Sequence, residues 1–471
     1  MTYTPTLEEI NEVESWCASV LGEDVKKRSS LWHVQLGTLS QYFKYRAEAE
    51  SRARHALALD SNDFRASTLL AEIIGPAEGI DLLESTARHL EYDQEWTKGA
   101  FNRMELAKML NTLGVLYWKN KLYNQTVAVC RRALTFDFTD YYRVFEIMQM
   151  YSKQGRWEDI VDILEVIRDH STEVNNLGEM VEVFAELPYF HTFLLKVVQE
   201  TERIDLLDAM YEISIARLKY TEQYVQLCHV RCAYGEALYG VPNRRAEAIK
   251  QWEQAIQQDL PRGNKYRLLP QLISKLGPIY VDMAERADNP SLYLQKISSL
   301  VPDSISETAS FVGPQIYLAR YWYGQGDHIQ AKQMVRETVQ QALDLLCDED
   351  AENDAFAFQR LLSVFVPLGD NKNTEVCVQM LARIGGKVRC DGDCGHIWDY
   401  GEGMWWCRDC VNTNFNGACY QKLCEGEFKF SVCHRGHEFF YIRAQESRMN
   451  KVDAIDEQWL ARIRREYLGV S

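Results

Sequence analysis

The segment LAKMLNTLGVLYWKNKLYNQTVAVCRRAL, residues 106–134, shows most clearly how this chain folds. Its apolar residues recur at the spacing of an amphipathic helix. Gly114 and Tyr117 lie on one predicted helix face and Val127 lies on a second, while the polar turn KNK at 119–121 separates the two helices. The segment therefore predicts a helix-turn-helix pair.

The same pattern returns 34 residues further along, where Tyr117 is matched by Tyr151 and Val127 by Val161. Small and aromatic residues recur with matching offsets in three other stretches: Gly37, Ala49, Ala53 and Ala56; Tyr239, Ala248, Trp252 and Ala255; Trp322, Gly326, Ala331 and Val335. Such a period is typical of stacked helix pairs, because small residues let two helices approach closely and larger ones fill the gap to the next pair.

These offsets resemble the tetratricopeptide repeat, a helix-turn-helix unit of this period. The resemblance implies an all-α fold, a right-handed α-solenoid of helix pairs over residues 1–385, whose concave face binds a peptide or a helix of a protein partner. Met148 departs from the repeat, since a Gly or Ala is expected there, and residues 170–200 show no clean register. An all-helical bundle with accidental spacing is the alternative.

Composition limits the partners and compartments to be expected. Lys and Arg total 52 and Asp and Glu total 68, and the resulting net charge of −16 argues against a surface that follows nucleic-acid phosphates. No apolar run approaches the ~18 residues needed to span a bilayer, so no membrane partner is predicted. The polar, acidic start of the chain lacks the apolar core of a secretory signal, which favours the cytoplasm or the nucleus.

Cysteines concentrate near the end of the chain. Seven of the 13 fall in the 44 residues from Cys390 to Cys433. Close thiolate pairs followed by histidines are typical of tetrahedral zinc sites, and in a reducing compartment they indicate metal rather than disulfides. We therefore predict a module over 386–445 that holds one or two structural Zn²⁺ ions. Its candidate ligands are Cys390, Cys394, Cys407, Cys410, Cys419, Cys433, His434 and His437.

The order of these residues resembles a ZZ-type zinc finger. Four stretches carry the resemblance, RCDG (389–392), WWCRDC (405–410), NFNGACY (414–420) and HRGHEF (434–439). The segment is also similar to the cysteine-rich tail of uncharacterised fungal tetratricopeptide proteins, which supplies no activity.

The ZZ resemblance implies two interleaved zinc sites. One site would be formed by Cys407, Cys410, His434 and His437, and the other by Cys390, Cys394 and a third pair. Asn416 stands where the first cysteine of that third pair belongs, which leaves Cys419 alone. Cys424, His396 or Asn416 would then complete the site. In the other site, Cys433 can replace His434 as the partner of His437.

The last segment, 446–471, predicts an amphipathic helix. Asp453 can cap it, and four residues at regular spacing form its apolar stripe: Ile455, Trp459, Ile463 and Tyr467. We expect this stripe to pack on the zinc module or on the last helices of the solenoid.

The sequence favours a non-enzymatic scaffold that binds a protein partner and uses a zinc module as a second contact surface. It contains no Walker A loop, GxSxG elbow or GxGxxG turn. The alternative is a regulatory zinc-finger protein, either ubiquitin-ligase-like or recognising protein N-termini. For N-terminus recognition, Asp391 matches the acidic residue with which ZZ fingers hold an α-amino group. For the ubiquitin-ligase alternative, the cysteine and histidine spacing lacks the Cys-x-His-x2-Cys centre of a RING finger.

Overall fold

The computed structural model describes residues 5–22, 24, 29–137, 141–169, 176–260, 268–301, 313–348, 350–392, 394–400, 402–427, 432–443 and 457–470. The chain divides into two compact units, Met1–Ser214 and Ile215–Ser471, which we call the N-terminal unit and the C-terminal unit. Among the described residues, no helix combines the length and apolar character needed to cross a bilayer.

The N-terminal unit is helical throughout its described residues. Its helices are α1 (Leu7–Leu21), α2 (Ser30–Tyr42), α3 (Arg46–Leu59), α4 (Phe64–Ile74), α5 (Pro76–Tyr92), α6 (Gln94–Thr97), α7 (Ala100–Lys119), α8 (Tyr123–Leu134), α9 (Tyr141–Ser152), α10 (Trp157–Asp169), α11 (Asn176–Val183), α12 (Pro188–Thr201) and α13 (Ile204–Tyr220), whose last residues belong to the C-terminal unit. Consecutive helices pack as pairs, α2 with α3, α4 with α5 and α7 with α8.

The predicted small residues lie where the paired helices meet. A Cβ atom added to Gly37 would lie 2.7 Å from Leu69 and 3.4 Å from the carbonyl oxygen of Ala49, so no larger residue fits without a shift. Ala49, Ala53 and Ala56 of the partner helix are fully buried. The close approach of the two helices therefore depends on the small residues that the repeat places at these positions.

The C-terminal unit continues in the same way. Its helices before the cysteine-rich segment are α14 (Tyr224–Gly240), α15 (Arg245–Gln254), α16 (Leu269–Arg286), α17 (Ser291–Ser298), α18 (Gln315–Gly324), α19 (His328–Met334), α20 (Arg336–Leu345), α21 (Asp354–Phe365) and α22 (Asn371–Arg383). The pairs are α14 with α15, α18 with α19 and α21 with α22. The buried Trp252 fixes the first pair, since its indole N–H donates to the Cys232 carbonyl at 3.1 Å.

The cysteine-rich segment contains the described strands of the chain. They are β1 (Lys387–Arg389), β2 (Ile397–Asp399), β3 (Met404–Cys407), β4 (Asn414–Phe415) and β5 (Phe439–Ile442), with helix α23 (Gly417–Glu425) between β4 and β5. β1 and β2 form an antiparallel pair, and β3 lies between β4 and β5 in a second antiparallel sheet. The predicted all-α fold of consecutive helix pairs with a small cysteine-rich module is confirmed.

The final helix, α24 (Glu457–Ile463), continues as a π-helical turn over Arg464–Leu468. The Trp459 indole N–H donates to Asn373 at 3.0 Å, and the Tyr467 hydroxyl donates to Asp370 at 2.9 Å. The apolar stripe thus packs on the last helices of the helical region. Two residues of the predicted helix start, Asp453 and Ile455, lie outside the described residues.

Candidate metal centre

The first cluster forms around a tight turn at the end of β3. Cys407 is the last residue of the strand, and its backbone N–H donates to the carbonyl of Thr413 at 2.8 Å, which folds the chain back. Inside this turn the Cys410 N–H donates to the Cys407 sulfur at 3.3 Å. Val411 and Asn412 adopt positive φ angles of 34° and 63° to close the loop. The turn holds both sulfurs on its inner side.

The segment after α23 brings two more ligands to this turn. The four atoms that can bind a metal lie within 4.8 Å of one another, and they belong to Cys407, Cys410, Cys433 and His437. The His437 Nδ1 lies 3.5 Å from the Cys407 sulfur and 3.2 Å from that of Cys410. All three cysteines are buried, with exposed fractions of 0%, 2% and 3%. We call these four residues the closed cluster.

Burial and hydrogen bonding separate the acidities of two thiols in the closed cluster. Burial raises the pKa of the Cys410 thiol well above its ordinary value. Burial acts in the same direction on Cys407, but hydrogen bonds with Cys410, Cys433 and His437 outweigh it and lower the pKa of Cys407 well below its ordinary value. A thiol whose pKa is lowered gives up its proton more readily, and metal binding requires the deprotonated thiolate.

A second cluster joins residues from three places in the module. The sulfurs of Cys390, Cys394 and Cys419 lie within 4.8 Å of one another. Backbone N–H groups donate to two of them, Gly392 to Cys390 and His396 to Cys394, each at 3.4 Å. Cys390 and Cys419 are buried, but Cys394 is exposed. We call these three cysteines the open cluster.

Asn416 lies beside the open cluster without replacing a cysteine. Its Oδ1 accepts from the Cys419 N–H at 2.8 Å, which caps α23, and its Nδ2 donates to the Cys394 sulfur at 3.3 Å. Asn416 therefore presents a hydrogen-bond donor to the Cys394 sulfur and helps to hold that sulfur in place.

Three other candidate metal ligands, His434, Cys424 and His396, lie outside both clusters. Cys433 rather than His434 joins His437 in the closed cluster, and the His434 ring packs on that of His437 with centroids 3.9 Å apart. Cys424 is exposed on α23, and His396 stacks on Trp398. The carboxylate of Asp391 accepts from the Asn414 N–H at 2.8 Å.

The closed cluster is anchored to the helical part of the C-terminal unit through Asp409, one of the two residues between its first two cysteines. One oxygen of this carboxylate accepts from the Arg320 guanidinium at 2.7 and 2.9 Å, and the other accepts from the Glu438 N–H at 2.7 Å. Arg320 lies on α18, with its side chain 12% exposed. The sequence offered no signal for this contact, because the two partners are 89 residues apart.

Arg408 forms a second anchor on the same turn. Its guanidinium donates to the Asn371 side chain at 2.8 Å and lies 3.2 Å from the Glu438 carboxylate. The ion pair of Asp409 with α18 and the hydrogen bond of Arg408 with α22 thus connect the turn to two different helices.

The donor sets of both clusters suit a soft divalent cation. The closed cluster offers three buried thiols and one half-buried imidazole, a donor set that tetrahedral structural zinc sites use. None of the 13 cysteines forms a disulfide. The two clusters are therefore positioned to bind metal.

No family model matches the chain, and no curated protein matches it. A solved structure described as "Circular tandem repeat protein with novel repeat topology and enhanced subunit contact surfaces" matches 80% of this chain and 81% of its own, with 14% identity and a TM-score of 0.15. At this identity and TM-score the likeness implies no ligand or activity.

Proposed function

We propose that this protein is a non-enzymatic scaffold that holds a peptide or helix of a protein partner in a groove of the N-terminal unit, resembling tetratricopeptide-repeat proteins in this respect. The observation behind the proposal is a groove of about 460 Å³ to which three helices contribute, α2, α4 and α7. They are the first helices of three consecutive pairs. Repeat proteins bind extended or helical segments on surfaces built in this way.

The groove has an apolar floor and a charged rim. Val34, Leu69 and Met109 form the floor. On the rim, Glu105 pairs with Arg65 at 3.4 Å and with Lys108 at 3.1 Å. A second carboxylate, Glu72, also lines the groove, so the two cations are balanced by two anions. We therefore expect apolar side chains of the partner to supply most of the binding energy.

A pull-down with the full chain as bait tests this proposal. Thr38→Arg places a long cation on an exposed position of α2 that lines the groove, and Ser51→Arg makes a similar change on an exposed position of α3 outside it. We expect Thr38→Arg to capture at least about tenfold less of each partner than the unaltered chain does, and Ser51→Arg to capture as much as the unaltered chain. Equal capture by both variants would contradict a role for the groove.

We also propose that the two clusters hold zinc, as the ZZ-type resemblance implies. The closed cluster would bind one ion through all four of its side chains. The open cluster would bind a second ion through three thiolates, with a further ligand from solvent or a neighbouring group. In this proposal the ions stabilise the module and present its outer surface as a second contact area.

A further inference from the structure

A cavity of about 400 Å³ lies in the C-terminal unit between the helices and the closed cluster. Its walls come from the end of α14, from α15, α16 and α17, and from the segment 432–437. His434, a predicted metal ligand that the closed cluster does not include, lines this cavity together with His437. The size is within the range of pockets that bind small molecules or single side chains.

One cation at this cavity has no counter-charge. The Arg245 guanidinium stacks over the Tyr239 ring at 5.0 Å, and within the described part of the chain it makes no hydrogen bond or ion pair. By contrast, Arg286 at the same cavity pairs with Asp282 at 2.6 Å. The charge of Asp282 is thus compensated, and Arg245 leaves the lining with a net positive charge.

Both histidines add N–H donors. The His437 Nδ1 faces the sulfurs of the closed cluster, so its Nε2 carries the proton when a metal is bound, and a ligating histidine normally donates that proton to an acceptor. The His434 Nδ1 accepts from the Gly436 N–H at 3.1 Å, which leaves its Nε2 as the N–H of the neutral ring. An acceptor in the cavity could receive hydrogen bonds from both rings.

The remaining walls are largely apolar. They are formed by Ile249, Pro278, Ile279, Met283, Tyr293 and Val432. We propose that this cavity binds a carboxylate carried by an apolar group, with Arg245 as its counter-ion and His434 and His437 as hydrogen-bond donors. The carboxylate belongs either to a small organic acid or to the C-terminal residue of a peptide. The role of His437 rests on the proposed metal site, whereas that of Arg245 does not.

Calorimetry on the full, zinc-loaded chain tests the proposal with phenylacetate and its uncharged analogue phenylacetamide. We expect the acid to bind at least about tenfold more tightly than the amide, because only the acid can pair with Arg245. Arg245→Met should weaken phenylacetate binding by a similar factor. Lys250→Met removes a charge from an exposed position of the same helix outside the cavity and should leave binding unchanged.

A second pair of probes distinguishes the two sources of the carboxylate. Acetyl-glycyl-glycyl-phenylalanine is compared with the same peptide amidated at its C-terminus. Tighter binding of the free peptide than of phenylacetate assigns the cavity to a peptide terminus, and the reverse assigns it to a small acid.

The proposal is overturned if neither acid binds to zinc-loaded protein, if acids and amides bind equally, or if Arg245→Met behaves like Lys250→Met. Zinc content is measured on the same samples. A loaded protein that binds no acid therefore refutes the cavity alone, whereas a protein without zinc refutes the metal proposal.

Discussion

The closed and open clusters belong to one small module but differ in completeness. The closed cluster gathers three buried thiols and an imidazole, while the open cluster gathers three thiols, one of them exposed. Both begin with a short-spaced cysteine pair, Cys407 with Cys410 and Cys390 with Cys394. The difference arises from what the fold brings to each pair. The segment 433–437 supplies two ligands to one pair, whereas α23 supplies Cys419 alone to the other.

If both clusters hold metal as proposed, they would form two different kinds of site. A site with four protein ligands excludes solvent and serves structure, whereas three ligands leave a position for another molecule. The closed cluster is also tied to α18 through Asp409, so loss of its metal should affect the packing of the module on the helices. We therefore expect the two clusters to respond differently to the same chemical change.

The largest effect is expected for Cys407→Ser. Removing a ligand from the closed cluster should release one zinc ion and disorder the sheet β4–β3–β5, at a loss in stability of about 4 kcal/mol or more. Elemental analysis and near-ultraviolet circular dichroism of the module's tryptophans measure both changes, while the far-ultraviolet helical signal should mostly remain. Cys424→Ser, a change at an exposed cysteine outside both clusters, is the control. A variant that keeps its full zinc content would refute the ligand assignment.

An intermediate effect is expected for Arg320→Met. The change leaves the Asp409 carboxylate, 20% exposed, without its guanidinium partner and should lower the free energy of unfolding by about 2–3 kcal/mol. Urea denaturation measures this loss, and zinc content should stay unchanged because no ligand is altered. Arg336→Met, at an exposed arginine on α20, should change stability by less than about 0.5 kcal/mol. Equal stability of the two variants would show that the anchor contributes nothing.

The smallest effect on stability is expected for Cys394→Ser. Its thiol is exposed, so the change should lower stability by less than about 1 kcal/mol while weakening zinc binding at the open cluster. In a titration with a coloured chelator, the unaltered chain should release zinc in two steps and this variant only in the slower one. Simultaneous release of both ions from the unaltered chain would remove the distinction between the clusters.

Sequence periodicity predicted the helix pairs because each pair is formed by residues that lie close together along the chain. Gly37 and Ala49 could be placed at a helix contact from their offsets alone, and both lie there. The cysteine window was equally visible, since short-spaced cysteines can close a turn without help from elsewhere. These features depend on local spacing, which a sequence displays directly.

Other features depend on segments that are distant in the chain. Cys433 and His434 are adjacent and either can bind zinc, so spacing left both open. Only the tertiary structure places the Cys433 sulfur beside Cys407.

By itself, then, the sequence determined that the chain forms helix pairs and a cysteine-rich module, because both follow from local periodicity and spacing. Tertiary structure alone decided which candidate ligands meet, that Arg320 holds the turn of the closed cluster, and that Arg245 and His434 face one cavity. These outcomes require contacts between residues far apart in the chain, and they are decided by packing and charge compensation that no local pattern records.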